Sequence, residues 1–424
     1  MEVLVKRSCL KGGAVAPPSK SYTHRGLLCA ALAEGRSRVL SPLNSEDTNS
    51  TVEVLGKLGV KTDLKNGVWE VEGGSLIEPE ELLYCRESGT SLRMITALCT
   101  LVDGACTLTG APSLIKRPVG QLVDGLNQLG ADCSSRNGFP PVLVRGSGHL
   151  EGGVAEIRGD ISSQFVSAIL LAAPRTEKGV KLKLSTPLES KPYVRMSMES
   201  QRSFNIEVDV SGDMNEFTVK RQRYEPTEYQ VEKDWSSASY LLAGGALAGS
   251  IEVMGLNVNS IQADAAIVEI LRLMGAEILL QDDSIIVEES DLKGISLDVS
   301  DCPDLFPVLS VLCAAAEAKS VIRGIRRLRL KESDRVAAVA EGLSRMGVKT
   351  VEEENRFHIK GGTIRGGRID PHGDHRIAMA FAILGLISEE DTIILDGDCV
   401  SKSFPGFWRT LRSLGAEIGG GYDG

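Results

Sequence analysis

The stretch P-P-S-K-S-Y-T-H-R at residues 17–25 stands directly before an apolar run at residues 26–32. A helix N-terminus leaves N–H groups unpaired and carries the positive end of the helix dipole, so it attracts anions. Hydroxyl and cationic side chains at such a place, here Lys20, Ser21 and Arg25, strengthen that attraction. We therefore predict a helix over residues 26–32 whose polar start binds an anion.

Similar polar stretches precede five further runs rich in Ala, Leu, Ile and Val: S-G-T (88–90), S-S-Q (162–164), S-S-A (236–238), P-D-L (303–305) and D-H-R (374–376). Counted from Ser21 through Gly89, Ser163, Ser237, Asp304 and His375, the intervals are 68, 74, 74, 67 and 71 residues. This spacing predicts one supersecondary unit that occurs six times.

A second sequence feature, the glycines that end predicted helices, indicates the same period. Glycines that end a predicted helix recur at intervals of 71, 145, 72 and 68 residues, at Gly59, Gly130, Gly275, Gly347 and Gly415. Asn205 lies inside the long interval, and Gly and Asn are the residues that best tolerate a left-handed helix cap. Residues 60–71, with Asn-Gly at 66–67, predict a hairpin after the first cap. The predicted unit is strand, helix, strand, helix and hairpin, or βαβαββ.

Six units divide most simply into two domains of three. The sixth unit lacks a returning strand, whereas residues 2–6 form a strand without a unit. We therefore assign residues 14–226 to an N-terminal domain, and residues 1–13 plus 227–424 to a C-terminal domain. Two chain crossings, near 12–13 and 224–228, predict a hinge. The tail at 419–424 is predicted to be disordered.

The composition of the chain argues for some classes of protein function and against others. The chain has 424 residues, of which 42% are hydrophobic and 25% charged, as is usual for soluble enzymes. The longest apolar runs, at 241–248 and 377–387, fall short of the ~18 residues of a membrane span. Nine scattered cysteines without a C-x-x-C pair predict core residues in a reducing cytoplasm, rather than metal ligands or disulfides. The net charge of −10 argues against a nucleic-acid partner. We expect a cytoplasmic monomer without membrane partners.

Cationic side chains are nevertheless concentrated at the helix starts and nearby loops. Any one of them alone could be a solvated surface charge. Gathered together, they would create a positive field that attracts phosphate and carboxylate groups. These cations are Lys20, Arg25, Arg93, Arg117, Lys331, Arg335, Arg376 and Lys402.

The segment L-K-E-S-D-R at 330–335 is the most informative local motif. If it is helical, Lys331 and Arg335 share a face and Glu332 can reach Arg335. Either the segment is an exposed, ion-paired helix start, or Glu332 carries a proton beside an anionic substrate. Asp304 and the serine pairs at 162–163 and 236–237 could likewise be helix caps only. No G-x-x-x-x-G-K-[ST] or strand-linked G-x-G-x-x-G motif indicates a nucleotide site.

Taken together, the motifs resemble those of the 5-enolpyruvylshikimate-3-phosphate synthase family along essentially the whole chain. They are S-K-S-Y-T-H-R (19–25), E-S-G-T-S-L-R (87–93), R-P-V-G (117–120), S-S-Q-F (162–165), S-K-P-Y (190–193), L-K-E-S-D-R (330–335), D-H-R (374–376) and S-K-S-F-P (401–405). The resemblance implies an α/β fold of two domains, each an inside-out α/β barrel of three βαβαββ units, with the active site in the cleft between them. It also implies that the enolpyruvyl group of phosphoenolpyruvate is transferred to the 5-hydroxyl of shikimate 3-phosphate, in aromatic amino acid biosynthesis.

The resemblance further implies a role for each matching residue. Shikimate 3-phosphate would be held by Ser21, Arg25, Ser162, Ser163, Ser190, Tyr193, Asp304 and Lys331, with Gln164 between the two substrates. Phosphoenolpyruvate would be held by Lys20, Gly89, Arg117, Arg335, Arg376 and Lys402. Asp304 would be the base toward the hydroxyl, Glu332 the proton carrier, and Lys20 the cation beside the leaving phosphate. No metal or organic cofactor is implied.

Two positions depart from the family pattern. Glu87 stands where many members carry Asn, and Arg327 stands where an Asn often contacts the sugar phosphate. We keep Arg327 among the expected substrate-binding residues.

Two alternative functions remain open at this point. A sister enolpyruvyl transferase that acts on UDP-N-acetylglucosamine carries Lys-Asn where this chain has Lys20-Ser21, and usually a loop Cys where residues 111–116 have none. The same repeat could also belong to a non-catalytic anion-binding protein or an RNA-end-processing protein. The net charge of −10 and the carboxylates Asp304 and Glu332 argue against that second alternative.

Overall fold

The computed structural model describes residues 1–420. The chain forms two compact units, one of Met1–Pro17 with Lys233–Gly424 and one of Pro18–Glu232. We call them the split unit and the continuous unit. The predicted disordered tail extends past the described residues, because residues 421–424 lie outside them, while Gly419 belongs to the last strand.

The strands of residues 1–420 are β1 Val3–Val5, β2 Leu10–Val15, β3 Gly35–Leu40, β4 Lys61–Lys65, β5 Val68–Gly73, β6 Leu83–Tyr84, β7 Asp103–Thr109, β8 Asp132–Arg136, β9 Phe139–Ser147, β10 Gly153–Ile157, β11 Val180–Leu184, β12 Asp209–Val210, β13 Glu216–Val219, β14 Glu228–Gln230, β15 Gly249–Met254, β16 Glu277–Leu280, β17 Ser284–Glu288, β18 Ser296–Asp298, β19 Lys319–Arg323, β20 Lys349–Glu352, β21 Arg356–Lys360, β22 Arg368–Ile369, β23 Thr392–Ile394 and β24 Ile418–Gly419.

The α-helices of the same residues are α1 Lys20–Leu32, α2 Glu46–Lys57, α3 Gly89–Cys99, α4 Gly120–Gln128, α5 Ser163–Ala172, α6 Lys191–Ser203, α7 Trp235–Ala248, α8 Ile267–Leu273, α9 Phe306–Ala315, α10 Arg335–Arg345, α11 His375–Gly385 and α12 Phe407–Ser413. Short 3₁₀ helices are Leu114–Lys116, Ala173–Arg175, Ala263–Ala266, Pro303–Leu305, Arg326–Leu330 and Gly397–Lys402.

The predicted repeat is confirmed, because the strands described form six four-stranded sheets, three in each unit. The continuous unit has the orders β14-β3-β5-β4, β6-β7-β9-β8 and β10-β11-β13-β12. The split unit has the orders β2-β15-β17-β16, β18-β19-β21-β20 and β22-β23-β1-β24. In each sheet the first two strands are parallel and the following pairs are antiparallel, as a βαβ crossover and a hairpin require.

The first two strands, β1 and β2, each complete a sheet of a later repeat. β1 pairs with both β23 and β24, and so replaces the strand that the sixth unit lacks. β2 precedes α1 in sequence but pairs with β15, whereas β14 precedes α7 but pairs with β3. The first and fourth βαβαββ repeats therefore exchange their leading strands. As a result the units divide at Pro17/Pro18 and Glu232/Lys233, a few residues later than the boundaries at 13/14 and 226/227 that the sequence suggested.

Each repeat has one buried and one amphipathic helix. In α11 every residue is buried, and in α1, α3, α5, α7 and α9 nearly every residue is. A helix that is apolar on all sides belongs in a core. α3 contacts both α1 and α5, and α7, α9 and α11 contact one another, so each unit has these helices at its centre. The amphipathic helices α2, α4, α6, α8, α10 and α12 follow the second strand of each repeat.

The predicted helix caps are confirmed by their backbone angles. Gly59, Gly130, Gly275, Gly347 and Gly415 have φ between 84° and 100°, and Asn205 has φ of 61°. These values lie in the left-handed region, which Gly and Asn adopt most readily. The hairpin predicted at 60–71 is confirmed as β4 and β5, with positive φ at both turn residues, Asn66 and Gly67.

The apolar helices of residues 1–420 are all too short or too polar to cross a membrane. Eight of the nine cysteines are buried free thiols, and Cys9 is exposed. Within the same residues, no cluster of three or more His, Cys, Asp or Glu side chains has the geometry to hold a metal ion.

Candidate active site

Five of the six polar stretches lie at α-helix starts, and the sixth forms a 3₁₀ turn that leads into α9. The first helix begins earlier than predicted, at Lys20 rather than Gly26, because the Ser19 hydroxyl accepts a bond from the Tyr22 N–H and caps the helix there. Lys20, Ser21 and Arg25 therefore lie within the first turns of α1 instead of in the loop before it.

Lys20 lies at the first position of α1. Its ammonium Nζ donates to Asp47 Oδ2 at 2.9 Å, and both side chains are mostly buried. Asp47 lies in the first turn of α2, which begins with a capping box formed by Ser45 and Thr48. The carboxylate thus fixes the direction of the lysine side chain. Asp47 is not among the site residues predicted from the sequence, although an acidic residue after a capping serine is a recognisable sign of a helix start.

Arg25 is 2% exposed and is held by neutral oxygen atoms. Its Nε donates to Ser197 Oγ, and its two Nη atoms donate to the carbonyls of Ser21 and Tyr193, all at 2.9 Å. Burial lowers the pKa of the guanidinium from its ordinary value. The bonds tie α1 to α6, the helix that follows Ser190, and so bring together four predicted ligands of one substrate. Ser190 is itself buried and has a left-handed φ of 57°.

Arg117 and Gly89 are in contact. A Cβ atom at position 89 would lie 2.9 Å from Arg117 Nη1, so any larger residue would displace the guanidinium. Gly89 is the first residue of α3, and Ser88 caps that helix. Free N–H groups and a buried guanidinium therefore lie side by side, which suits a phosphate or carboxylate.

Gln164 and Arg93 form a pair near the start of α5. Arg93 Nη1 donates to Gln164 Oε1 at 2.7 Å, and Gln164 Nε2 donates to Thr90 Oγ1 at 3.0 Å. The Arg93 guanidinium carbon also lies 5.3 Å from the centre of the Phe165 ring. Ser162 caps α5, because its hydroxyl accepts from the Gln164 N–H at 3.3 Å, and Ser163 is the first helical residue. Capping by Ser162 is thus observed, and it is compatible with binding a ligand.

A buried polar chain that the sequence did not indicate runs between three helices. His24 Nδ1 lies 2.8 Å from Thr51 Oγ1, which lies 2.6 Å from Ser91 Oγ, and that hydroxyl donates to Ser88 Oγ at 2.7 Å. Burial lowers the pKa of His24 to about 3, so its imidazole is neutral at physiological pH. The chain fixes the start of α3 relative to α1 and α2.

In the split unit, Asp304 is the centre of a charged cluster. Its Oδ1 accepts from Arg335 Nη1 at 2.7 Å and lies 3.6 Å from Lys331 Nζ, and its Oδ2 accepts from Arg376 Nη2 at 3.0 Å. Burial raises the pKa of this carboxyl, but the charges of Arg376, Lys331 and Arg335 outweigh that effect and hold it well below its usual range. Asp304 is the middle residue of the turn Pro303–Leu305, whose cap position is Cys302, so the alternative that Asp304 is only a helix cap is wrong.

Arg335 connects the carboxylates of the cluster. It is 1% exposed, and besides Asp304 it donates to Glu332 Oε2 at 2.7 Å and to Asp374 Oδ2 at 2.8 Å. Although burial lowers the pKa of this guanidinium, the charges of Asp374, Glu332 and Asp304 raise it above its ordinary value. Asp374 also caps α11 by accepting from the Arg376 N–H at 3.0 Å. The sequence placed Asp374 at a helix start but did not predict that it holds Arg335.

Residues 331–334 are not helical, so Lys331 and Arg335 do not share a helix face. α10 begins at Arg335 with Asp334 as its cap, and Lys331 follows a 3₁₀ turn in extended conformation. Lys331 and Arg335 nevertheless both contact Asp304. The chain bends at residues 331–333, after the 3₁₀ turn, and this bend places the Lys331 side chain beside the Asp304 carboxylate. Burial lowers the pKa of the Lys331 ammonium to about 8.

Lys402 and Arg327 are held by backbone carbonyls in the same unit. Lys402 Nζ donates to the Gly373 carbonyl at 2.6 Å, directly before the D-H-R helix start. Arg327 Nη2 donates to the Ser300 carbonyl at 2.8 Å, close in sequence to Asp304. Ser236, by contrast, donates to Asp264, while Asp234 caps α7 by accepting from the Ser237 N–H at 2.7 Å.

This fold and these helix starts define an α/β repeat protein suited to small phosphorylated and carboxylated substrates. Comparison with known proteins narrows the class. The chain belongs to the family described as EPSP synthase (3-phosphoshikimate 1-carboxyvinyltransferase), whose sequence profile matches residues 5–411. EPSP is 5-enolpyruvylshikimate 3-phosphate, so the resemblance noted in the sequence is confirmed.

Individual relatives agree with this assignment. The chain is 41% identical over 420 residues to a 3-phosphoshikimate 1-carboxyvinyltransferase of Dehalococcoides mccartyi, covering 99% of each chain. It is 42% identical over 410 residues to an enzyme of the same name from Methanospirillum hungatei, covering 94% of this chain and 95% of that one. The solved EPSP synthase of Acinetobacter baumannii matches with a TM-score of 0.84 and 29% identity, over 99% of this chain and 100% of that one.

Proposed function

We propose that the chain transfers the enolpyruvyl group of phosphoenolpyruvate to the 5-hydroxyl of shikimate 3-phosphate and releases phosphate, with acid-base chemistry supplied by the split unit. The observation that carries the proposal is the arrangement around Arg335, which holds Asp304 and Glu332 at 2.7 Å each. Two carboxylates fixed by one guanidinium can serve two different protons of one reaction.

Shikimate 3-phosphate is assigned mainly to the continuous unit. Hydroxyl, amide and guanidinium groups there can bind its phosphate, carboxylate and ring hydroxyls. Arg25 supports this assignment, because its contacts connect α1 with Tyr193 and Ser197 of α6. The assigned residues are Ser21, Arg25, Ser162, Ser163, Gln164, Ser190 and Tyr193, together with Asp304, Arg327 and Lys331 of the split unit.

Phosphoenolpyruvate carries a phosphate and a carboxylate, so it requires more cations. Arg117 beside Gly89 offers a buried guanidinium next to free helix N–H groups. Arg335 and Arg376 offer two more guanidiniums that are held in place by carboxylates. The assigned residues are Lys20, Gly89, Arg117, Arg335, Arg376 and Lys402.

In the first step, the 5-hydroxyl oxygen bonds to C2 of phosphoenolpyruvate as C3 gains a proton. We assign Asp304 as the base that takes the hydroxyl proton and Glu332 as the acid that supplies the proton at C3. In the second step a proton leaves C3, the double bond forms again, and the C2–O bond to phosphate breaks. Glu332 takes that proton. The phosphate leaves with the electron pair of the C2–O bond and takes up the proton that Asp304 holds, while the Lys20 ammonium stabilises the charge on the departing group.

The low pKa of Asp304 bears on this role. While Arg376, Lys331 and Arg335 surround it, the carboxylate is a weak base. Substrate anions that bind the same cations would share their charge, and the proton affinity of Asp304 would rise. The base would therefore become stronger only once the substrates have bound.

The remaining assignments are also part of the proposal. We expect a cytoplasmic monomer that needs no metal or organic cofactor, as the family resemblance implies. The free thiols of the nine cysteines are compatible with a reducing compartment.

Release of inorganic phosphate tests the function. The purified protein is incubated with phosphoenolpyruvate and either shikimate 3-phosphate, UDP-N-acetylglucosamine or no acceptor. The proposal predicts rapid release only with shikimate 3-phosphate. Release with the nucleotide sugar, or equal release without acceptor, would contradict it.

A further inference from the structure

Asp264 is a buried carboxyl that the proposed mechanism does not use. It is 1% exposed and lies in the 3₁₀ turn Ala263–Ala266, which packs against the start of α7. Its Oδ2 accepts a short hydrogen bond from Ser236 Oγ, while its Oδ1 is buried without a hydrogen-bond partner among residues 1–420. Because a buried carboxylate normally has all its acceptor positions filled, such a group requires an explanation.

The 3₁₀ turns that carry Asp264 and Asp304, and helix α11 that begins with Arg376 as its second residue, all contact α7, so Asp264 lies near the Asp304 cluster. Apart from burial, the strongest influences on its charge are Asp304 and Arg376, followed by Ser236 and Asp234. The thiol of Cys302 lies in the same field, and Asp264 disfavours its ionisation. The groups that influence the charge of Asp264, or are influenced by it, are therefore two carboxyls, one guanidinium, one hydroxyl and one thiol.

We propose that Asp264 is a positioning residue that sets the charge balance at Asp304 and Arg376, and so adjusts phosphoenolpyruvate binding and the basicity of Asp304. This inference rests on the proposed function of those two residues. When Asp264 is neutral, Arg376 offers its charge to the substrate. When Asp264 is a carboxylate, its negative charge partly compensates that of Arg376 and repels both Asp304 and the incoming anion.

The titration range of Asp264 makes this balance sensitive to pH. Burial, reinforced by the charge of Asp304, raises the pKa of Asp264 to about 7. The carboxyl is thus neutral in acid and becomes charged as the pH rises through neutrality. Two carboxyls whose pKa values are moved apart can hold different protonation states side by side.

The variant Asp264→Asn tests the proposal, because an amide keeps the hydrogen bond to Ser236 but cannot become charged. In the wild type, the KM for phosphoenolpyruvate should rise by about threefold to tenfold between pH 6 and 8.5, relative to the variant. The ionisation of phosphoenolpyruvate affects the KM of both proteins equally, so its effect cancels in the ratio of the two KM values. Glu269→Gln, an exposed position on α8, is the matched control and should follow the wild type.

Ser236→Ala provides a second variant. It removes a bond that stabilises the charged carboxyl, so the rise in KM should move to higher pH. Equal pH profiles for wild type and Asp264→Asn, or an unmoved profile in Ser236→Ala, would overturn the proposal.

A readout that does not depend on turnover separates this inference from the proposed function. In protein labelled with ¹³C at aspartate carboxyls, one resonance should be absent from Asp264→Asn. In the wild type that resonance should titrate near pH 7. Titration near pH 4 would overturn the inference even if the enzyme is active, whereas titration near pH 7 without turnover would count against the proposed function alone.

Discussion

Arg25 and Arg93 of the continuous unit are held by different means from Arg335 and Arg376 of the split unit. In the continuous unit, Arg25 is bound by a hydroxyl and two carbonyls, and Arg93 by an amide and a carbonyl oxygen. In the split unit, Arg335 is bound by three carboxylates, and Arg376 shares one of them. Both arrangements satisfy buried guanidiniums, but only the second one brings carboxylates to the site.

The difference suggests a division of labour. A guanidinium held by neutral oxygens keeps its full charge for a substrate anion. A guanidinium held by carboxylates has part of its charge compensated, yet it fixes those carboxylates in place and controls their proton affinity. We therefore expect substitutions in the continuous unit to affect binding and charge stabilisation, and substitutions of the carboxylates in the split unit to affect proton transfer.

Lys20 gives the largest expected effect. Because its ammonium would face the departing phosphate, Lys20→Met should lower kcat by about 10²- to 10³-fold. Lys57→Met, which removes an exposed lysine of α2 in the same unit, serves as the control. Steady-state kinetics measures kcat and KM of both variants. An unchanged kcat with a raised KM in Lys20→Met would show that Lys20 only positions the substrate.

The carboxylates of the split unit come next. Asp304→Ala or Glu332→Gln should each lower kcat by at least ~100-fold, because each removes a proton-transfer group. The matched control is Glu341→Gln, an exposed carboxylate that pairs with Arg345 on α10. Near-normal turnover in both variants would return Asp304 and Glu332 to a purely structural role.

Lys331 should give the split unit a second dependence on pH. Its ammonium has a pKa of about 8, so its charge is present below that pH and is lost above it. The KM for shikimate 3-phosphate should therefore rise about threefold to tenfold between pH 7 and 9. Lys331→Arg keeps its charge throughout this range and should remove the rise. A rise of equal size in that variant would assign the effect to another group.

His24 gives the smallest effect, on stability in the continuous unit. Its imidazole stays neutral in the folded protein down to a pKa of about 3, whereas in the unfolded chain it takes up a proton below about pH 6.5. The free energy of unfolding should thus fall by about 2 kcal/mol between pH 6.5 and 5 relative to His24→Asn. Urea denaturation at both pH values, with exposed His149→Asn as control, measures the difference. An equal fall in the free energy of unfolding in the wild type and in His24→Asn would contradict this prediction.

Periodicity made most of the fold predictable from the sequence. The helix starts and the glycine caps repeat with one period, and each mark reflects a local requirement for free N–H groups or a left-handed residue. The partner exchange of β2 and β14 was not predictable. Both are short strands that precede a similar helix start, so nothing local distinguishes the sheet of one repeat from that of another.

Within the site, the sequence predicted the cations better than the carboxylates that hold them. Lys20, Arg335 and Arg376 were recognised from their position at helix starts. The roles of Asp47 and Asp374 were missed because these carboxylates lie 27 and 39 residues along the chain from Lys20 and Arg335, and only the fold brings them together. Such pairings depend on tertiary structure, which neither spacing nor residue type encodes.

Deuterium incorporation at C3 of phosphoenolpyruvate tests most directly whether the split unit carries the protons. In D₂O with both substrates, addition and its reversal exchange these hydrogens with solvent, which NMR of recovered phosphoenolpyruvate detects. Glu332→Gln should lose deuterium incorporation together with turnover, by at least ~100-fold. Lys20→Met should instead keep incorporating deuterium faster than it forms product. Wild-type incorporation in Glu332→Gln, or equal loss of both rates in Lys20→Met, would contradict the division between the two units.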